Sequence, residues 1–249
     1  MELVLVHGSG NTGTVWRHQT EHFPEADAPN LPGHLAPGSA CTSVDDYARW
    51  LHSWVEAAGY SRPVIGGHSL GGAIALQYAL DYPQDLGGLL LFGTGAKLRV
   101  APHVLEALEK GTAEPGAWLR DFVEPQLRRV VGVFGDWGVR YSHIERELRE
   151  QLVEEIREVG AAVQLNDFLC CDRFNVMERL HEISAPTLVL SGSEDILTPP
   201  KYGTYLAQHI PGARQLLIEG GTHYFFAEKP EETNRAIEDF LCALPVSSV

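Results

Sequence analysis

The twelve residues IGGHSLGGAIAL at positions 65–76 constrain the fold more than any other stretch of the chain. An apolar run too short for a helix passes through two glycines, and a helix-like run opens at Leu70, so only His68 and Ser69 are left for the reversal. A buried strand that turns so abruptly into a buried helix fits a parallel sheet, whose strands are joined by crossover helices. Other parts of the chain repeat the pattern. Short apolar runs at 3–6, 64–67, 86–92, 187–190 and 215–218 read as buried strands, with a weaker one at 25–28. Helical patterns occupy 44–58, 70–80, 201–209 and 231–241. This alternation predicts an α/β fold, a doubly wound sheet with right-handed crossovers.

One region breaks the rhythm. Residues 96–183 carry no strand pattern, and Leu148, Leu152 and Ile156 recur every four residues among charges such as Glu145, Arg149 and Glu154. The region leaves one strand end and hands the chain back to the sheet at 186–192. It therefore reads as a helical lid inserted into a core made of residues 1–95 and 184–249. Nineteen basic against 33 acidic side chains give a formal charge of −14, which disfavours nucleic acid and anionic membrane surfaces as partners. No apolar stretch is long enough to span a bilayer, and no basic-then-apolar leader pattern opens the chain. The expectation is a cytoplasmic protein acting on a small molecule, with Cys41, Cys170, Cys171 and Cys242 as reduced thiols. Adjacent Cys170 and Cys171 are poor partners for each other. Oligomeric state is not encoded in any of these features.

Gly67-His68-Ser69-Leu70-Gly71 fits the G-x-S-x-G pattern of a nucleophile elbow. The tight strand-to-helix turn forces a strained backbone on the serine and projects its hydroxyl, while the glycines let neighbouring backbones approach. A serine is a weak nucleophile at neutral pH, so it needs a base, and the base needs an orienting acid. In the order Ser, acid, His, the later strand ends offer Asp195 within SGSEDILTPP (191–200) and His223 within EGGTHYFFAEKP (219–230). Glu194 is the neighbouring alternative acid. An oxyanion hole requires two backbone donors. The N–H of Leu70 is one, and the loop HGSGNTG (7–13) supplies the other, from Ser9 or next to it from Gly10.

Among the eleven histidines, His7 reads as a prop for that loop and His68 as a packing or loop-supporting residue. The others, His34 among them, show no metal-ligand spacing. The glycine-rich loop lacks a phosphate-binding lysine, so neither a metal nor a cofactor is expected. Trp16, Trp118, Phe122, Phe134, Trp137 and Tyr224 are candidates to line an acyl or alcohol pocket, with core packing as the plainer alternative.

Five segments, VLVHGSG (4–10), LPGH (31–34), IGGHSLGGAIAL (65–76), TLVLSGSEDILTPP (187–200) and GTHYFFAEKP (221–230), together resemble the α/β-hydrolase superfamily in its small, helical-lidded esterase branch. The resemblance spans nearly the whole chain. It implies Ser69, Asp195 and His223 as a catalytic triad and Ser9 as an oxyanion donor. The chain opens at what would be the third strand of that family, which implies about six strands, mostly parallel, without the first hairpin. The usual glycine after His34 is replaced by Leu35. Serine at the elbow argues against dehalogenases and epoxide hydrolases, and Tyr224 after His223 argues against plant-type hydroxynitrile lyases. The expected activity is hydrolysis of small or medium carboxylic esters through an acyl-enzyme on Ser69. A lactonase or C–C bond hydrolase with the same triad, or a hydrolase-fold ligand receptor, stands as the alternative.

Overall fold

A computed structural model describes residues 2–119 and 144–245. The strands among the described residues are β1 (Leu3–Val6), β2 (Ala26–Asp27), β3 (Val64–His68), β4 (Gly88–Phe92), β5 (Thr187–Gly192) and β6 (Arg214–Ile218). They form one sheet in the order β2-β1-β3-β4-β5-β6, and every pairing is parallel. Both the strand number and the doubly wound α/β class agree with the sequence reading. The register sets Val6 opposite Gly67, His68 opposite Phe92, and Gly192 opposite Ile218, so the strand ends are nearly level. Strand order reverses between β1 and β3. The loops leaving these two strands therefore flank the crevice where open α/β sheets place their ligands.

Alternate residues along the strands fill two different layers. Beyond the short α1 (Arg17–His22), Val4, Val6, Ile65, Leu89, Leu91 and Val189 pack with α2 (Val44–Ala57) and α3 (Leu70–Asp81). Leu3, Leu5, Val64, Leu90, Phe92 and Leu190 pack instead with Trp16, Phe225, Phe226, Ile237 and Phe240. Each fully buried large apolar side chain contributes roughly 1.5–3 kcal/mol. Ser43 caps α2 by accepting the Asp46 N–H at 3.1 Å, and Asp45 and Asp46 complement the positive end of its dipole. Residues 70–80 of α3 are buried on every side, as an apolar-all-round sequence requires.

One expected strand differs in character. The run at 215–218 reads as a buried strand, but β6 lies at the sheet edge, and Leu216 and Leu217 are 41% and 45% exposed. Hydrophobicity alone does not distinguish a central strand from an edge whose outer neighbour is solvent.

Between β4 and β5 the described chain is helical: α4 (Pro102–Ala113), α5 (Pro115–Trp118) and α6 (Arg146–Arg173). Leu148, Leu152 and Ile156 are buried, as their four-residue spacing predicts. Gly160, at φ 83° and ψ 164°, interrupts α6 with a kink. Before the kink, α6 packs in the layer that contains Leu90 and Phe92. After it, Cys170 and Cys171 join the layer of α2 and α3. The long helix thus crosses from one side of the sheet to the other.

Candidate active site

Ser69 stands between β3 and α3 at φ 55° and ψ −113°, a conformation that costs on the order of 1–3 kcal/mol in a non-glycine residue. Its N–H donates to the Phe92 carbonyl at 3.0 Å, and its carbonyl accepts the Thr94 hydroxyl at 2.8 Å, so both neighbours of the turn hold it. The flanking glycines are needed for close approach. A Cβ on Gly67 would sit 2.1 Å from the Gly71 carbonyl oxygen, and one on Gly71 would sit 2.2 Å from that of Val6. Any side chain at either position would push the elbow off the sheet.

At the ends of β5 and β6, His223 Nδ1 donates to Asp195 Oδ2 at 2.8 Å, with both residues buried. The other Asp195 oxygen accepts the N–H groups of Leu197 and Thr198, each at 2.9 Å. The Thr198 hydroxyl donates to Oδ2 at 2.8 Å and lies 3.1 Å from His223 Nδ1. Four donors converge on one carboxyl group, which suits the acceptor-only ionised form. Its charge keeps the imidazole proton on Nδ1 and leaves the Nε2 lone pair available as a base. Asp195, rather than Glu194, is therefore the acid paired with His223. Among the described residues no hydrogen bond joins Ser69 Oγ to His223; such bonds commonly tighten only with substrate present.

The loop after β1 passes close to the elbow: a Cβ on Gly8 would lie 3.2 Å from Ser69 Cβ. His7 shapes this loop, with Nδ1 donating to the Gly8 carbonyl at 2.9 Å and Nε2 accepting the Leu31 N–H at 3.0 Å. Burial, and then the charge of His34, hold the His7 pKa well below its ordinary value, so it is neutral, as that bonding requires. Leu70 is the first residue of α3, and its N–H has no partner within the helix. The Ser9 N–H has no protein acceptor among the described residues. The Gly10 N–H, the second choice from sequence, donates to Asp167 Oδ2 at 2.9 Å and is thereby occupied.

His68 is buried beside His223, their ring centroids 4.4 Å apart, and its Nε2 donates to the His223 carbonyl at 3.0 Å. Burial and the neighbouring His223 hold its pKa well below the ordinary range. A neutral ring pinning the His223 backbone matches the supporting role expected for it. His34 is different. Burial lowers its pKa, but the charge and hydrogen bond of Asp167 outweigh this and raise it overall.

The aromatic candidates divide. Trp16 is fully buried, stacked on Phe226 at 4.2 Å and edge-on to Phe92 at 4.9 Å, so it belongs to the core and not to a pocket wall. It ends the Gly13–Trp16 turn and packs in the cluster of Leu3, Leu5, Leu90 and Phe92. Trp118 is 4% exposed, and its indole N–H donates to Gln164 Oε1 at 2.9 Å. Tyr224 is buried beside His223, with its hydroxyl accepting from Asn11 Nδ2 at 2.9 Å. Phe122, Phe134 and Trp137 lie outside the described residues.

Sequence reasoning left Thr198 and Asp167 without a role. Thr198 had a local signal, since Asp-x-x-Thr spacing lets an aspartate capture the N–H and hydroxyl of a turn. Asp167 had only its position as one acid within a largely apolar helical run. Among the described residues no group of three His, Cys, Asp or Glu side chains is arranged to hold a metal ion, and no helix is long and apolar enough to cross a membrane.

Residues 3–230 match the family model of the alpha/beta hydrolase fold. The chain is 32% identical to the 2-hydroxy-6-oxo-6-phenylhexa-2,4-dienoate hydrolase of Comamonas testosteroni, over 96% of this chain and 87% of that one. It is 26% identical to the pimeloyl-[acyl-carrier protein] methyl ester esterase of Neisseria meningitidis, over 96% and 93%. The solved structure of a thermophilic esterase superposes with a TM-score of 0.74 at 31% identity, covering 97% of this chain and 89% of the other. These relatives mark the protein as a hydrolase, and the chain belongs to the α/β-hydrolase fold family.

Proposed function

We propose that the protein hydrolyses small or medium carboxylic esters through an acyl-enzyme on Ser69. The observation that carries this reading is the buried Asp195–His223 pair at 2.8 Å, set at strand ends level with a strained serine elbow. His223 Nε2 takes the Ser69 proton as Oγ attacks the ester carbonyl carbon. The Leu70 and Ser9 N–H groups receive the oxyanion, a contribution of about 3–4 kcal/mol per donor in comparable sites. Collapse breaks the bond to the alcohol oxygen, which leaves with the proton from His223. Water, deprotonated by the same imidazole, then attacks the acyl carbon and releases the acid and Ser69. Asp195 fixes the tautomer and stabilises the imidazolium. The insertion of residues 96–183, helical over its described parts in α4, α5 and α6, acts as the lid over this site and sets the acyl length.

The 26% and 31% identities to a methyl ester esterase and to a thermophilic esterase support the ester reading. A second reading, hydrolysis of a 2-hydroxy-6-oxo-dienoate acid, rests on the 32% identity to the Comamonas testosteroni enzyme. A panel of p-nitrophenyl esters of graded acyl length, run beside such a dienoate acid, separates them. Turnover of short and medium esters with the acid untouched is the expected outcome. Turnover of the acid alone would replace the ester reading with the second one.

A further inference from the structure

Asp167, on the second half of α6, is a carboxylate outside the triad with no exposed surface. Its Oδ2 accepts the Gly10 N–H at 2.9 Å and lies 2.7 Å from His34 Nε2, and its Oδ1 accepts the Tyr47 hydroxyl at 3.1 Å. Those partners come from the loop after β1, the loop before α2, and α2 itself. A carboxylate buried without partners costs several kcal/mol, so this group holds all three segments in register.

The same face of α6 covers the loop. Gln164, Asp167 and Cys171 follow the i, i+3, i+7 spacing of one helical stripe. Cys171 Sγ lies 3.7 Å from Ser9 Oγ, and a Cβ on Gly10 would come within 2.5 Å of Gln164 Nε2. Before the kink, Glu155 accepts the hydroxyls of Thr12 and of Thr14, the latter at 2.9 Å. Helix α6 thus grips the loop from Ser9 to Thr14, while His7 holds its base through Leu31.

Gly10 is the residue after Ser9. Its positive φ of 69° and its bond to Asp167 together hold the Ser9–Gly10 segment, with the Gly10 N–H engaged and the Ser9 N–H without a protein acceptor among the described residues. We propose that Asp167 is a positioning residue for the oxyanion hole: by anchoring the Gly10 N–H it aims the Ser9 N–H at the reacting carbonyl. The inference rests on the hydrolase mechanism proposed above. A lone carboxylate bonded to the oxyanion loop would oppose a developing negative charge, and the His34 ring, with Nε2 2.7 Å from Oδ2 and Nδ1 3.2 Å from the Pro32 carbonyl, stands against it. The helical insertion is, on this account, part of the catalytic machinery, because the loop takes its shape from α6.

The test compares wild type, Asp167→Ala and Asp167→Asn on p-nitrophenyl acetate, with Gly10 amide exchange followed by ¹H–¹⁵N NMR. Asp167→Ala should lower kcat by about 30-fold or more with KM within about threefold, because a displaced donor weakens the transition state more than the ground state. Asp167→Asn keeps the volume and one acceptor oxygen, so it should fold and recover part of kcat. Gly10 exchange should be slow in wild type and fast in Asp167→Ala. An unchanged kcat in a folded variant would overturn the proposal. So would a protected Gly10 amide without the carboxylate, or a loss of kcat that merely tracks a fall in Tm. A wild type inert to esters would sink the hydrolase reading instead, and Gly10 exchange would then judge the anchor alone.

Discussion

The loops leaving the strands and the helical insertion between β4 and β5 meet at one site, but they are built by opposite means. The loops hold their residues by local backbone chemistry. Ser69 is forced outward by a two-residue reversal, and Asp195 is held by N–H groups two and three residues along the chain. The insertion acts through contacts remote in sequence: Asp167 reaches Gly10 across 157 residues and His34 across 133. The first kind of feature leaves a compact motif. The second leaves a single unremarked acid on a helix.

Perturbing each region shows how far the contrast holds. The largest effect should come from Asp195→Asn, which keeps the shape of the turn and removes the charge that fixes the His223 tautomer. A loss of about 10⁴-fold in kcat with an unchanged circular dichroism spectrum is expected; a loss below tenfold would place the orienting acid elsewhere. Next, Leu90→Ala in the fully buried β4 should cost about 2–5 kcal/mol in urea denaturation. Leu217→Ala, on the exposed edge strand, should cost within about 0.5 kcal/mol. Equal costs would mean that the edge is covered in solution.

The buried histidines separate the regions by pH. His7 and His68 are held below the ordinary histidine value of 6.5, so their contribution is present above that pH and is lost as pH falls toward their folded values. His34 is raised, so its contribution is present below 6.5 and is lost as pH rises through its folded value. On acidification from pH 8 to 5.5, His7 and His68 draw down wild-type stability and His34 offsets part of that loss. Asp167→Asn, lacking the His34 counterweight, should lose it more steeply. Parallel urea midpoints for the two proteins across that range would refute the His34–Asp167 pairing.

The smallest effect concerns Leu35, which occupies the left-handed region at φ 57° where the resembling family carries glycine, and which is 45% exposed. Leu35→Gly should relieve about 1 kcal/mol of backbone strain and raise Tm slightly. A fall in Tm would show that the Leu35 side chain packs more usefully than its exposure suggests.

Most of the sheet was legible from sequence because burial on both faces leaves continuous apolar runs, as in 3–6 and 187–190. The helix expected from 44 begins there, behind the Ser43 cap, and the one expected from 201 begins one residue earlier at Pro200. The edge position of β6 was not legible, since Leu216 and Leu217 look the same in a central strand. The core position of Trp16 was not separable from a pocket position, because an aromatic beside a functional loop carries no mark of which way it faces. That the Gly10 N–H is already engaged was also hidden, because its acceptor is a carboxylate more than 150 residues away.

The most direct measurement is intact-mass analysis after exposure to a fluorophosphonate, on wild type and on Ser69→Ala. The account predicts one covalent adduct per chain in wild type and none in the variant. A folded wild type that takes no adduct, or a variant that still takes one, would contradict the assignment of Ser69 as the activated nucleophile.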